Sequence, residues 1–286
     1  MSDIIQVIVS GLLIGSVFSL IAIALNVVFG VMEIVNFAHG SFVMLGMYFA
    51  YWLSILFHIN PYVAIFLGLP IFFLFGMGIQ KFLIDRILGA PAINQFLLTL
   101  GLMLFLDNLA LLLWKPDYRT VKASYVSSSV SIGGIDLSIA RLVACGIMVL
   151  SLIALHQFLT KTYMGKAIRA TADDREGAYL VGINVPRVYL FAFGISSALA
   201  GVAGISIIPF FYVFPYVGFY FVITAYICVV LGGLGSFAGA LLGGLIIGVS
   251  ESLAGLYVYG SLKMAVPLII FIVVLLFRPS GIFAGK

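Results

Sequence analysis

Few residues in this chain could do covalent chemistry, and their spacing argues against it. There are three histidines, His39, His58 and His156, and two cysteines, Cys145 and Cys228. The histidines show no ligand spacing for zinc and no pairing for haem. Both cysteines fall inside apolar runs, where they read as small buried hydrophobes. Gly233, Gly235 and Ala238 fit G-x-G-x-x-A, but no strand precedes them and the next acid, Glu251, is too near. Gly165-Lys166 runs into Ala167 and lacks the upstream glycine of a P-loop. No metal, no cofactor, no ATP site and no enzymatic activity are expected. What remains is a polar island, Glu33 to Gly40 (EIVNFAHG), followed by Ser41, and two acids, Asp107 and Glu251, inside apolar runs. Asn36 and His39 can donate and accept hydrogen bonds without a fixed charge. They suit passage of a dipolar solute, with Glu33 holding the break and Ser41 and Glu251 on the same path. The plainer alternatives are a turn between two helices, and acids satisfied within a bundle.

The elements that must position these groups follow from composition. The chain has 286 residues, 64% hydrophobic and 8% charged, with a formal net charge of +4, and a mean hydropathy of +1.27. Soluble domains carry about 25% charged residues, so so little charge cannot cover a water-facing surface. The cations sit between apolar runs and form no stripe, which excludes a nucleic-acid partner. Spans of ~20 residues predict an all-α polytopic membrane protein. It should have about eight to ten transmembrane helices in one domain over 1–286, some of them broken or re-entrant. Apolar runs are expected at 4–29, 41–57, 62–79, 93–114, 139–159, 188–208, 221–231, 240–256 and 262–277. The start MSDIIQVIVSG lacks a basic segment and a cleavage site, so it reads as a retained first helix. Residues 115–136 read as a loop with a Gly133-Gly134 turn, and 210–220 as an aromatic interfacial segment.

One stretch is unlike the rest. Thr160 to Arg187 holds eight of the 24 Lys, Arg, Asp and Glu residues, so it must face water or a soluble partner. A helix over about 170–180 is expected there, with Ala172, Ala178 and Tyr179 as contacts and Asp173, Asp174 and Arg175 as a polar rim. If this loop is cytoplasmic, Lys81, Arg86, Lys161, Lys166, Arg169, Arg175, Arg187, Arg278 and Lys286 lie inside. Lys115, Arg119, Lys122, Arg141 and Lys263 lie outside. Nine against five places the N-terminus outside and the C-terminus in the cytoplasm. Gly201 with Gly204, and Gly235, Gly239 and Gly243, fall at helical spacing and predict close packing, or a gate made from smooth faces. Gly-Ser-Phe recurs at 40–42 and 235–237, a trace of a possible internal repeat.

The pattern 165–170 (GKAIRA), Asp173-Asp174, Ala178, 182–184 (GIN), Phe193 and 200–204 (AGVAG) resembles the permeases of branched-chain amino-acid ABC importers. So do 25–31 (LNVVFGV), 35–40 (VNFAHG), 232–236 (GGLGS) and Glu251. The likeness covers nearly the whole chain, and its compact length resembles the shorter of that family's two permeases. It implies a pore-forming subunit in a bacterial inner membrane. The expected partners are a longer second permease, two cytoplasmic ATPases, a periplasmic substrate-binding protein and the lipid bilayer. It also places Arg169 and Gly182, with 172–175, 178 and 179, at the ATPase contact. Leucine, isoleucine and valine are the default substrates. Urea or amides are the alternative within the family, and a stand-alone secondary transporter is the rival outside it.

Overall fold

The computed structural model describes residues 2–121, 128–132, 134–257, 265–278 and 281–282. Lys122, Lys263 and Lys286, Gly133, and both chain ends lie outside the described residues. The architecture is helical: α1 (Ser2–Met32), α2 (His39–Phe57), α3 (Ala64–Phe82), α4 (Ala92–Trp114), α5 (Ile139–Lys161), α6 (Tyr163–Asp173), α7 (Arg175–Leu180), α8 (Val185–Ile207), α9 (Val217–Gly232), α10 (Phe237–Tyr257) and α11 (Ala265–Phe277). Seven of these are long and apolar enough to cross a membrane, and α9 and α11 are shorter apolar helices. At 1.5 Å per residue α9 extends about 24 Å, less than the ~30 Å hydrocarbon core. The short run expected here is thus a helix shorter than a full span.

Three expectations are corrected. The first run, expected to stop at Phe29 before Gly30, continues as helix α1 to Met32. The loop before α5 contains an antiparallel hairpin, β1 (Ser129–Ile132) with β2 (Ile135–Ser138), in register Ser129↔Ser138. The charged segment 160–187 is two helices, since Asp174 leaves helical geometry at φ −151°.

The core is built from α1, α2, α8, α9 and α10, with α3, α4, α5 and α11 around it. Small residues decide this arrangement. Lipid is as apolar as leucine, so helices gain by close backbone approach and not by hiding oil from water. A side chain at Gly204 would run into the Val43 carbonyl of α2, and one at Gly46 into Gly201 of α8. A Cβ at Gly11 of α1 would lie 2.7 Å from Val249 Cα of α10, and one at Gly244 would strike Ser19. Gly239 meets Gly232, and Gly243 meets the Cys228 carbonyl, which docks α10 on α9. Gly235 does not belong to that face. It precedes α10, has φ +84°, and makes the turn between the two helices.

One end of the bundle gathers the starts of α1 and α5, the hairpin and residues 208–216. Gln6 on α1 donates to the Asp136 carbonyl at 2.6 Å and accepts from the Asp136 N–H at 2.8 Å. Arg119 and Val213 exchange backbone hydrogen bonds at 2.9 and 2.8 Å. Helix α5 separates this end from α6 by about 35 Å.

Candidate functional site

The polar island becomes a break of six residues between α1 and α2, 33–38. Glu33 takes up a left-handed φ of 56° as its N–H closes the last turn of α1 onto Phe29 O at 2.8 Å. Non-glycine residues rarely adopt this conformation. Its side chain is exposed and makes no hydrogen bond among the described residues. Glu33 therefore does not hold the break by its carboxylate, as the sequence suggested. Three other groups do. Thr99 on α4 donates to Val35 O at 2.9 Å, Ser41 donates to Asp107 Oδ1 at 2.7 Å, and His39 Nε2 lies 3.0 Å from Ile21 O of α1. Phe37 packs against Phe96 of α4 and Tyr226 of α9.

Asn36 and His39 are buried. Neither amide atom of Asn36, nor Nδ1 of His39, has a hydrogen-bond partner among the described residues. A buried polar atom left without one costs about 1–3 kcal/mol, and such groups in a native interior call for a reason. Asp107 is explained as the acceptor for Ser41, which makes it structural support for the break.

Glu251 stands apart from Asn36, on α10. Tyr220 of α9 donates to it at 2.8 Å to Oε2 and 3.0 Å to Oε1. The second break, 233–236, is a short turn whose tip is exposed. Asn26 of α1 accepts from the Gly235 N–H at 2.9 Å, and Ser236 Oγ accepts from the Gly239 N–H at 3.0 Å to cap α10. Both copies of Gly-Ser-Phe thus stand at a helix start that follows a break.

The charged segment 160–187 is assembled by caps. Thr162 Oγ1 accepts from Gly165 N–H at 3.0 Å and starts α6. Asp174 Oδ1 accepts from Gly177 N–H at 3.0 Å and starts α7. Gly182 at φ +85° ends α7, and Asn184 caps α8 by accepting from Arg187 N–H at 3.1 Å. Helix α6 buries Gly165, Ala167, Ile168 and Thr171 against α5, α8 and α1. Its opposite face, with Arg169, Ala172 and Asp173, is exposed. Ala178 is buried against the body, so it does not offer itself as a contact. Arg175 is tied down too, with its guanidinium 5.5 Å from the centre of the Tyr189 ring. What the sequence reading missed is apolar: Leu180 is 88% exposed, Val181 77% and Tyr163 78%, beside Tyr179 at 50%. Thr99 was missed as well, although it lies eight residues before Asp107 and so on the same helix face.

A family model described as branched-chain amino acid transport system, permease component, matches residues 7–275. The high-affinity branched-chain amino acid transport system permease protein BraD of Pseudomonas aeruginosa is 31% identical over 291 residues, covering 97% of this chain and 94% of that protein. The corresponding permease LivH of Escherichia coli is 31% identical over 96% of this chain and 93% of its own length. A probable LivH of Methanocaldococcus jannaschii is 32% identical over 92% of this chain and 87% of its own. No solved structure matches the chain significantly. The family model and these relatives cover nearly the whole chain, and the chain belongs to the family of branched-chain amino acid transport permeases.

Proposed function

We infer that this chain is one pore-forming subunit of an ATP-driven importer for leucine, isoleucine and valine, forming a single permease domain. In this reading it sits in the inner membrane with its N-terminus outside and C-terminus in the cytoplasm. It pairs with a longer permease, receives substrate from a periplasmic binding protein, and is driven by two cytoplasmic ATPases. The observation that carries this reading is the α6–α7 unit. It joins charge to exposed apolar anchors, and α6 rests directly on α1 and α8, whose neighbours frame the break. A groove in an ATPase would take Tyr179, Leu180 and Val181, with Arg169, Ala172, Asp173, Asp174 and Gly182 around them. Asn36 and His39 then line or gate the path, and Gly201, Gly204, Gly239 and Gly243 are the smooth faces along which it moves. The names of the relatives support the substrate.

The test is co-purification. Leu180→Asp with Val181→Asp should leave membrane insertion intact and abolish retention of the ATPase and ATP-dependent leucine uptake. Retention and uptake at wild-type levels would overturn the docking role. Uptake of another solute in place of aliphatic amino acids by the wild-type complex would overturn the substrate.

A further inference from the structure

A cavity of about 220 Å³ lies at the end of the bundle away from α6 and α7, between α1, α5, α9 and α10. Its walls are apolar, formed chiefly by Val17, Phe18, Ile207 and Phe221, but two opposite charges also line it, Arg141 and Glu251. Arg141 stands at the start of α5, whereas Glu251 lies within the apolar α10, where an acid is costly and calls for a function. Both groups are placed. Glu251 takes both contacts of the Tyr220 hydroxyl, and the Tyr220 ring is stacked on Phe211 at 5.8 Å and edge-on to Phe18 at 6.2 Å. The Arg141 guanidinium sits 5.9 Å from the centre of the Phe210 ring.

Size and position narrow the ligand. A cavity of about 150 Å³ admits a six-carbon ring. In proportion, 220 Å³ admits roughly nine non-hydrogen atoms, the number in leucine or isoleucine and one more than in valine. Helix α1 serves as a ruler. The cavity touches Val17 and Phe18, and His39 is held at Ile21, about 5 Å further along the axis. On α9, Tyr220 lies two residues beyond Gly218, where an added Cβ would meet the backbone of Gly40. The cavity therefore adjoins the break that starts α2.

We propose that this cavity is a receiving subsite for a zwitterionic aliphatic α-amino acid. Glu251 takes its ammonium, Arg141 its carboxylate, and Val17, Phe18, Ile207 and Phe221 enclose its side chain. The inference rests on the importer reading and adds a site to it. Solute is oriented here by two opposite charges, then handed to the uncharged Asn36 and His39, where no fixed charge retains it. Tyr220 is a positioning residue, since it acts through Glu251.

The experiment uses the assembled membrane complex without its binding protein, with tritiated L-leucine as the probe in a scintillation proximity assay. Unlabelled L-leucine and L-valine should displace it. Leucinamide, which lacks the carboxylate, and 4-methylpentanoate, which lacks the ammonium, should displace it at least tenfold less well. Arg141→Gln and Glu251→Gln should each weaken binding tenfold or more, with Arg141→Lys recovering part of it. Val17→Trp should block binding by filling the space while both charges remain. Equal displacement by the two analogues, undiminished binding in both charge variants, or no saturable binding by a wild-type complex that carries out leucine uptake would each overturn the subsite and leave the importer reading standing. A wild-type complex that neither binds nor transports any aliphatic amino acid overturns both.

Discussion

Helices α4 and α8 are each 23 residues long and both are apolar enough to span a membrane, yet they live in different surroundings. In the apolar window of α8, 83% of residues are buried; in that of α4, 28%. The composition explains it. Helix α8 carries SSALAGVAGISI, small on every face, whereas α4 carries leucine and phenylalanine around a narrow stripe of Thr99, Met103, Leu106, Asp107 and Ala110. In lipid, bulk apolarity leaves a helix content anywhere, and smallness is what lets it be enclosed. The contrast has a second side. The few buried residues of α4 include Thr99 and Asp107, whose hydrogen bonds hold the break beside α2. The peripheral helix supports the site through two polar atoms, and the central one through its lack of side chains.

The largest blow to this comparison should come at α8. Gly204→Leu drives a side chain into the Val43 carbonyl, which cannot move without α2. Leucine uptake should fall to background and the complex should elute as aggregate in size-exclusion chromatography. Normal assembly would mean that smallness there is incidental. Next in size is Asp107→Leu on α4, which leaves the Ser41 hydroxyl buried without its acceptor, at a cost of about 1–3 kcal/mol. The thermal midpoint of the purified complex should drop and uptake should fall several-fold. Adding Ser41→Ala should restore most of both, because removing both partners is close to neutral. If the double variant is as poor as the single one, Asp107 serves the transport path itself. A smaller effect is expected from Asp174→Ala, which removes the cap of α7 for roughly 1 kcal/mol. ATPase stimulation should weaken about two- to tenfold while basal expression holds. The smallest concerns Leu112, 79% exposed on the outer face of α4. Leu112→Ala should shift the thermal midpoint of the isolated chain by less than a degree or so, within the ±0.5 kcal/mol of surface changes. A distinctly larger loss in the full complex than in the isolated chain would place a protein partner on that face.

Much of the fold was legible because membrane spans announce themselves by length and composition. The runs 41–57, 93–114 and 139–159 agree with α2, α4 and α5 to within two residues at each end. The charged segment 160–187 was legible as a water-facing stretch for the same reason in reverse, as charge that hydrocarbon cannot hold. What escaped were features settled by partners distant in sequence. Nothing local says that Thr99 bonds to Val35, 64 residues away, or that Ala178 turns inward while Leu180 turns out. The hairpin at 129–138 escaped because its strands are four residues each and owe their place to Gln6, 130 residues earlier. The role expected of Glu33 failed on the same ground. Its charge was visible, but whether that charge reached anything depended on the turn of the backbone at φ 56°.

Helix α1 has a mechanical consequence. Its 31 residues make a rod of about 46 Å, half as long again as the ~30 Å hydrocarbon layer. Near one end Gln6 fastens it to the hairpin, and it also bears on α6. Between those points it holds His39 at Ile21 and the 233–236 turn at Asn26. A single helix thus contacts the hairpin, α6 and both breaks. Tilting it by five degrees about one end would swing the other through about 4 Å, more than the length of a hydrogen bond. In the importer reading, force applied at α6 and α7 would reach both breaks through this helix, with the glycine seam against α10 as its fulcrum.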